Sequence, residues 1–159
     1  MTFFIHEIQK QDDPAVESLI RTCLKEFHAD HEGTAWADPD LCRFSEIYKG
    51  DGRKYWVALN EDGKLIAGTG IGPVEGMAGI SELQKMYCEK EYRGSGASHL
   101  LMNTALDYAE QYYDSCYLET LDNMTAAQRF YEKYGFERIN EPLGNTGHYA
   151  CDVRYLKKL

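Results

Sequence analysis

The stretch from residue 78 to residue 112 constrains this chain most. An apolar-alternating strand, Ile80 to Cys88, leads into Arg93-Gly94-Ser95-Gly96-Ala97-Ser98, and an amphipathic helix follows at once. A strand feeding a small-residue loop that opens a helix leaves several backbone N–H groups without intrahelical partners, pointing one way. With the helix dipole behind them, they form an anion site suited to a phosphate or pyrophosphate. Glycine serves there because a Cβ would keep ligand oxygens from close approach. Two familiar phosphate loops do not fit. A P-loop needs Lys-Ser/Thr after its last glycine, where this chain has Ala97-Ser98. A dinucleotide fingerprint needs a third small residue where His99 stands. Taken alone, the loop could equally be a turn that lets a strand meet a helix.

The elements on either side follow from periodicity and punctuation. Phe3 to Ile8 reads as a first strand. Asp13-Pro14 reads as N-cap and first helical position, and Val16, Leu19, Ile20, Cys23, Leu24 and Phe27 form one apolar stripe behind it. A second, shorter helix is expected from Pro39 to Tyr48. Lys54 to Leu59 and Lys64 to Ile71 flank Asn60-Glu61-Asp62-Gly63, a hairpin signal, and Gly72 to Gly79 reads as loop. After the glycine loop, Leu101, Ala105, Tyr108, Ala109 and Tyr112 recur at helical spacing, then Cys116 to Thr120 makes a strand. Thr125-Ala126-Ala127-Gln128 fits a capping box before a helix that Gly135 ends. Phe136 to Ile139 and His148 to Leu156 read as the last strands, joined by the loop from Pro142 to Gly147. The order β-α-α-β-β-β-α-β-α-β-β implies an α/β sandwich with a mixed sheet, in one domain over residues 1–159.

Bulk properties narrow the function classes. A formal charge of −9 argues against a nucleic-acid binder, which needs a basic surface. The five cysteines are scattered, with no Cys-x-x-Cys, so neither a zinc cluster nor a disulfide scaffold is suggested. Free thiols in a reducing cytoplasm fit best. No signal peptide or membrane-spanning run is seen. His28, Asp30, His31 and Glu32 invite a metal reading but lack a third and fourth ligand at usual spacing, so no metal is expected.

The segment Leu83 to Ser98, with Arg93-Gly94-Ser95-Gly96-Ala97-Ser98 at its end, resembles motif A of the GNAT superfamily of N-acetyltransferases. Phe130-Tyr131-Glu132-Lys133-Tyr134-Gly135-Phe136 resembles the family's second signature, a helix ending Tyr-Glu-Lys-x-Gly-Phe. Together they cover roughly residues 78–139, in the family's order and separation. Ser98 stands where Gly or Ala is usual, Cys88 where Val is usual, and Lys90 where Pro is common. Met124 stands where many relatives carry a cofactor-contacting asparagine, with Asn123 one residue early.

The resemblance implies the acyl-CoA N-acyltransferase fold: a mixed, mostly antiparallel sheet of about seven strands flanked by about four helices. It implies direct acetyl transfer from acetyl-CoA to an amine. Gly94, Ser95, Gly96, Ala97 and Ser98 would receive the pyrophosphate, with Arg93 adding charge. The backbone of Met86 and Cys88 would pair with the pantetheine arm, and an N–H near Met86–Tyr87 would polarise the thioester carbonyl. The family's strand bulge corresponds to Gln84-Lys85, where the alternation slips. An alkyl ammonium, with a pKa of roughly 10, must lose a proton before attack, and Glu82 is the candidate base. It could instead be a solvated strand-end carboxylate. By resemblance Tyr131 is the acid for the departing thiolate, although it also belongs to an apolar stripe. Cys88 as an acyl-accepting nucleophile competes with its reading as a small buried hydrophobe. The segment after the first helix and the loop Leu143 to His148 are the places expected to contact the acceptor. The expected partner is a small-molecule amine, such as an amino acid or a related amine; the alternatives are a protein amine or a non-catalytic acyl-CoA-binding module. Homodimers are common in the superfamily, and nothing in the residues fixes the oligomeric state.

Overall fold

The computed structural model describes residues 1–159. Seven strands form one sheet: β1 (Phe4–Glu7), β2 (Lys54–Leu59), β3 (Leu65–Pro73), β4 (Ile80–Cys88), β5 (Ser115–Thr120), β6 (Glu137–Ile139) and β7 (Val153–Lys158). Their spatial order is β1-β2-β3-β4-β5-β7-β6. Four α-helices accompany them: α1 (Asp13–Glu26), α2 (Phe44–Ile47), α3 (Ala97–Glu110) and α4 (Thr125–Lys133). No helix is long and apolar enough to cross a membrane. The architecture agrees with the mixed, mostly antiparallel sheet expected from the sequence.

The sheet divides the core in two. On one face the stripe of α1 (Val16, Leu19, Ile20, Cys23 and Leu24) packs with Phe44, Tyr55, Val57 and Leu65. On the other, Leu101, Met102, Ala105 and Ala109 of α3 pack with Trp56, Ile66, Cys116, Leu118, Tyr131 and Phe136. Alternation along β2 explains the division, since neighbours in a strand point to opposite faces.

All sheet pairings but one are antiparallel. The parallel pair, β4 with β5, extends only over Ile80↔Ser115, Ser81↔Cys116 and Glu82↔Tyr117. Beyond Glu82 the two strands are no longer paired, and their later residues line a cavity instead. The other edge of β4 carries a bulge: its register against β3 passes from Gly70↔Gln84 to Gly68↔Tyr87. The bulge falls at Lys85, where the sequence alternation slips, and Lys85 adopts φ +51°, a left-handed conformation unusual for a side-chain-bearing residue. The Tyr55 hydroxyl braces it by donating to the Lys85 carbonyl at 2.8 Å. Glycine on β3 makes this brace possible: a Cβ at Gly68 would lie 2.7 Å from that hydroxyl, and one at Gly70 would lie 2.7 Å from the Tyr55 ring.

Several local expectations need correction. Asp13 is the first residue of α1 rather than its cap, and its carboxylate accepts from the Ser45 N–H at 2.9 Å, tying α2 to α1. The helix expected over Pro39 to Tyr48 is one turn, Phe44–Ile47. β3 runs on through Pro73, because Gly72 pairs with Glu82. No capping box opens α4. Met124 is at its N-cap, and the Gln128 amide reaches back to the carbonyls of Leu121 and Asp122, closing the loop before the helix. The last strand begins at Val153 rather than His148. His148 turns away to meet Asp38, and Ala150 donates its N–H to the Gly33 carbonyl at 2.9 Å. Gly135 ends α4 as expected, with φ +88°.

Candidate active site

Where β4 and β5 part, a small central cavity opens, lined by residues 82–87 of β4, 118–121 at the end of β5, and Tyr131 of α4. A larger cavity meets it from each side. The first, about 320 Å³, lies between the end of α1, the loop before α3 and the start of α4. It shares Met86, Tyr87, Met124 and Tyr131 with the centre. The second, about 380 Å³, lies between Asp38–Asp40, α2 and the Asn145–His148 loop, and shares Glu82, Gln84, Lys85 and His148 with the centre. Strand β4 therefore borders all three spaces.

The first cavity has the geometry of an anion cradle. Gly94 and Gly96 adopt φ +76° and +103°, which L side chains rarely adopt, and a Cβ at either would meet no protein atom within 4 Å. The space beside them is open. Gly96 is the N-cap of α3, so the first-turn N–H groups of Ala97, Ser98 and His99 lack intrahelical acceptors at the positive end of the dipole. A diphosphate fits these groups.

The other residues read from the loop play different parts. Ser95 turns its hydroxyl back onto the Tyr92 carbonyl, and the Ala97 side chain is fully buried in the core. Arg93 borders the cavity, but its guanidinium is held by Glu26 (2.9 Å to Oε1) and by the Cys88 carbonyl (3.1 Å). Its hydrogen bonds lower the Glu26 carboxyl's pKa. Arg93 thus fastens the end of β4 to α1, and Glu26 offsets the charge it was expected to add. Asn123 borders the same cavity and donates to the Phe27 carbonyl at 2.9 Å, joining the loop before α4 to the end of α1. Burial pushes the Cys88 thiol up, which favours its protonated form.

Glu82 and Tyr131 are among the titratable groups that line the centre. Glu82 is 8% exposed, and burial raises its carboxyl above the ordinary range; a hydrogen bond from Gln84 and the charge of Lys85 oppose the rise. Tyr131, also 8% exposed, has its phenol pushed up to about 12 by burial, so it holds its proton throughout the physiological range.

The second cavity is built from side chains that distant segments contribute. Asp38 accepts from Lys85 Nζ at 2.7 Å and pairs with His148 Nε2 at 2.9 Å. Burial pulls the Asp38 carboxyl upward, but the hydrogen bond to His148 and the charge of Lys85 outweigh it and leave it lowered. The Lys85 side chain is only 13% exposed. Gln84 donates to Glu82 at 2.8 Å and accepts from the Tyr48 hydroxyl at 2.7 Å. Residues 143–148 reach this cavity through Asn145, Thr146 and His148, and the segment after α1 reaches it through Asp38–Asp40. His28, Asp30, His31 and Glu32 do not line it. The turn at His28 (φ +57°) carries the chain past it, and His31 binds the neighbouring Glu32 carbonyl.

Sequence reasoning missed Tyr48, Asp38 and Tyr55. A signal did exist: Gly68, Gly70 and Gly72 recur with the strand period of two, which clears one face of β3 for large neighbours.

Comparison with known proteins identifies the family and the fold. The Acetyltransferase (GNAT) family profile matches residues 14–136. The chain is 39% identical over 152 residues to the uncharacterized N-acetyltransferase YjgM of Escherichia coli strain K12, covering 94% of this chain and 90% of that one. An acetyltransferase of the GNAT family from Staphylococcus aureus Mu50 superposes with a TM-score of 0.85 at 23% identity, covering 99% of both chains. The PaiA N-acetyltransferase of Thermoplasma acidophilum, solved in complex with coenzyme A, superposes with a TM-score of 0.77 at 17% identity over the full length of both. The chain belongs to the GNAT acetyltransferase family, and it is an acetyl-CoA-dependent N-acetyltransferase.

Proposed function

We propose that this enzyme passes the acetyl group of acetyl-CoA directly to the primary amine of a small molecule, an amino acid or a related amine. One observation carries the reading. Glu82 and Tyr131 face a common centre, with an anion cradle opening to one side and a polar cavity to the other.

Acetyl-CoA supplies the activated acyl group as a thioester. The amides of Gly94, Gly96, Ala97 and Ser98 would hold its diphosphate, and the backbone of Met86 and Cys88, which line the same cavity, would hold the pantetheine arm; the fold is shared with a protein solved in complex with coenzyme A. The parting of β4 from β5 supports this, because it frees one edge of β4 for an extended, amide-bearing ligand. Glu82 takes the proton of the acceptor ammonium; its raised pKa brings its basicity closer to neutrality, where proton transfer from an amine is more favourable. A backbone N–H at Met86–Tyr87 stabilises the negative charge that grows on the carbonyl oxygen. Tyr131 offers its hydroxyl proton to the departing sulfur. With a phenol at about 12 against an ordinary thiol near 8.5, it acts first as a hydrogen-bond donor to the thiolate.

The size and walling of the acceptor side favour a small substrate. The segment between β6 and β7 is joined to the segment after α1 at two points, His148 to Asp38 and Ala150 to Gly33. The space they wall, about 380 Å³, is at the low end of small-molecule sites. Lys85 and Arg53 stand in its wall beside carboxylates, which suits an acceptor carrying both charges. Calorimetric titration with acetyl-CoA, followed by thiol release across a panel of amino acids and simple amines, tests the reading. Binding with turnover on a small amine is expected. Turnover on peptide amines alone would overturn the small-acceptor assignment, and absence of binding would overturn the cofactor site.

A further inference from the structure

We infer that Gln84, held in orientation by Tyr48, is a positioning residue that fixes the Glu82 carboxylate for proton transfer in the acceptor cavity. The inference rests on the reading of Glu82 as the base that takes the amine proton.

Glu82 and Gln84 are two apart on β4, and so share a face. Lys85, Cys116, Tyr117, Glu119, His148 and Tyr48 approach Glu82 from β4, β5, the loop before β7 and the end of α2. None of them makes a side-chain hydrogen bond to its carboxylate; that bond comes from Gln84 Nε2 at 2.8 Å. A terminal amide can be turned either way, and the wrong way would set its oxygen against the carboxylate. The ionised Glu82 carboxylate can only accept, which sets Nε2 toward it, and the Tyr48 hydroxyl holds that orientation by donating to the remaining Gln84 Oε1 at 2.7 Å. The hydrogen bonds thus run in one direction, from Tyr48 to Gln84 to Glu82.

The neighbouring strand is shaped around this chain. Gly70 pairs with Gln84 and Gly72 with Glu82. A Cβ at Gly72 would lie 2.8 Å from Gln84 Oε1, and one at Gly70 would lie 2.9 Å from the Tyr48 ring. Tyr48 also packs against Tyr55 and Phe44, with ring centroids 5.2 and 5.3 Å away. The chain of donors is therefore seated on a rigid aromatic group, as a positioning role requires. It also acts on acidity. A hydrogen bond donated to the charged form opposes the upward pull of burial on Glu82 and tunes how basic the carboxylate is.

The test is a carboxyl carbon-13 NMR titration of the full chain, with the Glu82 signal identified by its loss in Glu82→Gln, alongside kcat/KM against pH for an accepted amine. Gln84→Met keeps the volume and removes both ends of the amide. It should raise the Glu82 midpoint by about one pH unit and carry the rising limb of kcat/KM up by the same amount, with acetyl-CoA affinity unchanged. Tyr48→Phe should do the same to a smaller degree and add nothing in the Gln84→Met background, as members of one network behave. If Gln84→Met does not fold, Tyr48→Phe decides alone, by whether the midpoint rises. A Glu82 midpoint unmoved by these variants, while Glu82→Gln removes the rising limb, would overturn the positioning role and leave the base in place. A wild-type limb retained in Glu82→Gln would overturn the base itself, and the inference with it.

Discussion

The proposed cofactor side and acceptor side of this molecule meet at one strand but are made differently. On the cofactor side the working groups are backbone amides, set by two glycines with positive φ and by the start of α3. On the acceptor side they are side chains brought from α2, the segment after α1, β4 and the loop before β7, and joined by hydrogen bonds and ion pairs. A site made of backbone depends on local conformation and can be held by a short contiguous motif. A site made of side chains depends on tertiary placement, so each residue can change without altering the local fold.

That contrast can be broken, and the largest effect should come from the backbone side. Gly96→Asp forces a side chain into a left-handed position at φ +103° and sets a carboxylate where a diphosphate must sit. Acetyl-CoA affinity should fall more than ~100-fold in calorimetry while circular dichroism still shows a folded chain. Undiminished affinity would remove the glycine loop from the site.

Next in size is the centre, where one functional group should affect rate without affecting binding. Tyr131→Phe is expected to lower kcat by about 10²-fold, with the dissociation constant of acetyl-CoA changed little. A loss of affinity instead would make Tyr131 a wall residue.

A smaller effect belongs to the acceptor side. Asp38→Asn should raise KM for the amine about tenfold, leave acetyl-CoA affinity alone and lower thermal stability, since Lys85 and His148 would lose a shared anion. The pH dependence has a definite sign. The folded Asp38 carboxyl lies below its ordinary value, so its stabilising contribution is present above the ordinary carboxylate range and is lost as pH falls through the folded value. Wild type should therefore lose its stability advantage over Asp38→Asn in acid and keep it at neutral pH. An advantage that grew in acid would contradict the ion-pair account.

The smallest effect sharpens the contrast. Ser98→Ala keeps the amide and removes the hydroxyl, and it should change acetyl-CoA affinity by less than about threefold, because the cradle is made of N–H groups. A tenfold loss would mean that a side chain carries part of the anion site after all.

The same difference explains what could be read from the chain. α1, α3 and the hairpin at Asn60–Gly63 announce themselves through spacing and turn residues, and the loop at Gly94–Gly96 through composition, because local rules decide them. α2 was expected too long, over Pro39 to Tyr48, since its single turn is set by Ser45 docking on Asp13 and by Tyr48 lying over Gly70 of β3. The start of β7 was placed too early because His148 is drawn off by Asp38, 110 residues away in the chain. Arg93 matched its motif, yet Glu26 claims its guanidinium, a pairing between residues 67 apart that no local pattern carries. Glu82 and Tyr131 were legible as chemical types. Their shared centre came from the sheet, through the short pairing of β4 with β5.

The separation of the two larger cavities has a consequence for the order of events. They share no wall residue and communicate only through the small centre, so neither substrate need block the other's entrance. In the direct transfer proposed above the acyl group has no intermediate carrier, in keeping with a Cys88 thiol that burial pushes up. Both substrates must then be aboard before anything leaves. Double-reciprocal plots at several fixed acceptor concentrations should intersect instead of running parallel, and free coenzyme A should compete with acetyl-CoA without competing with the amine.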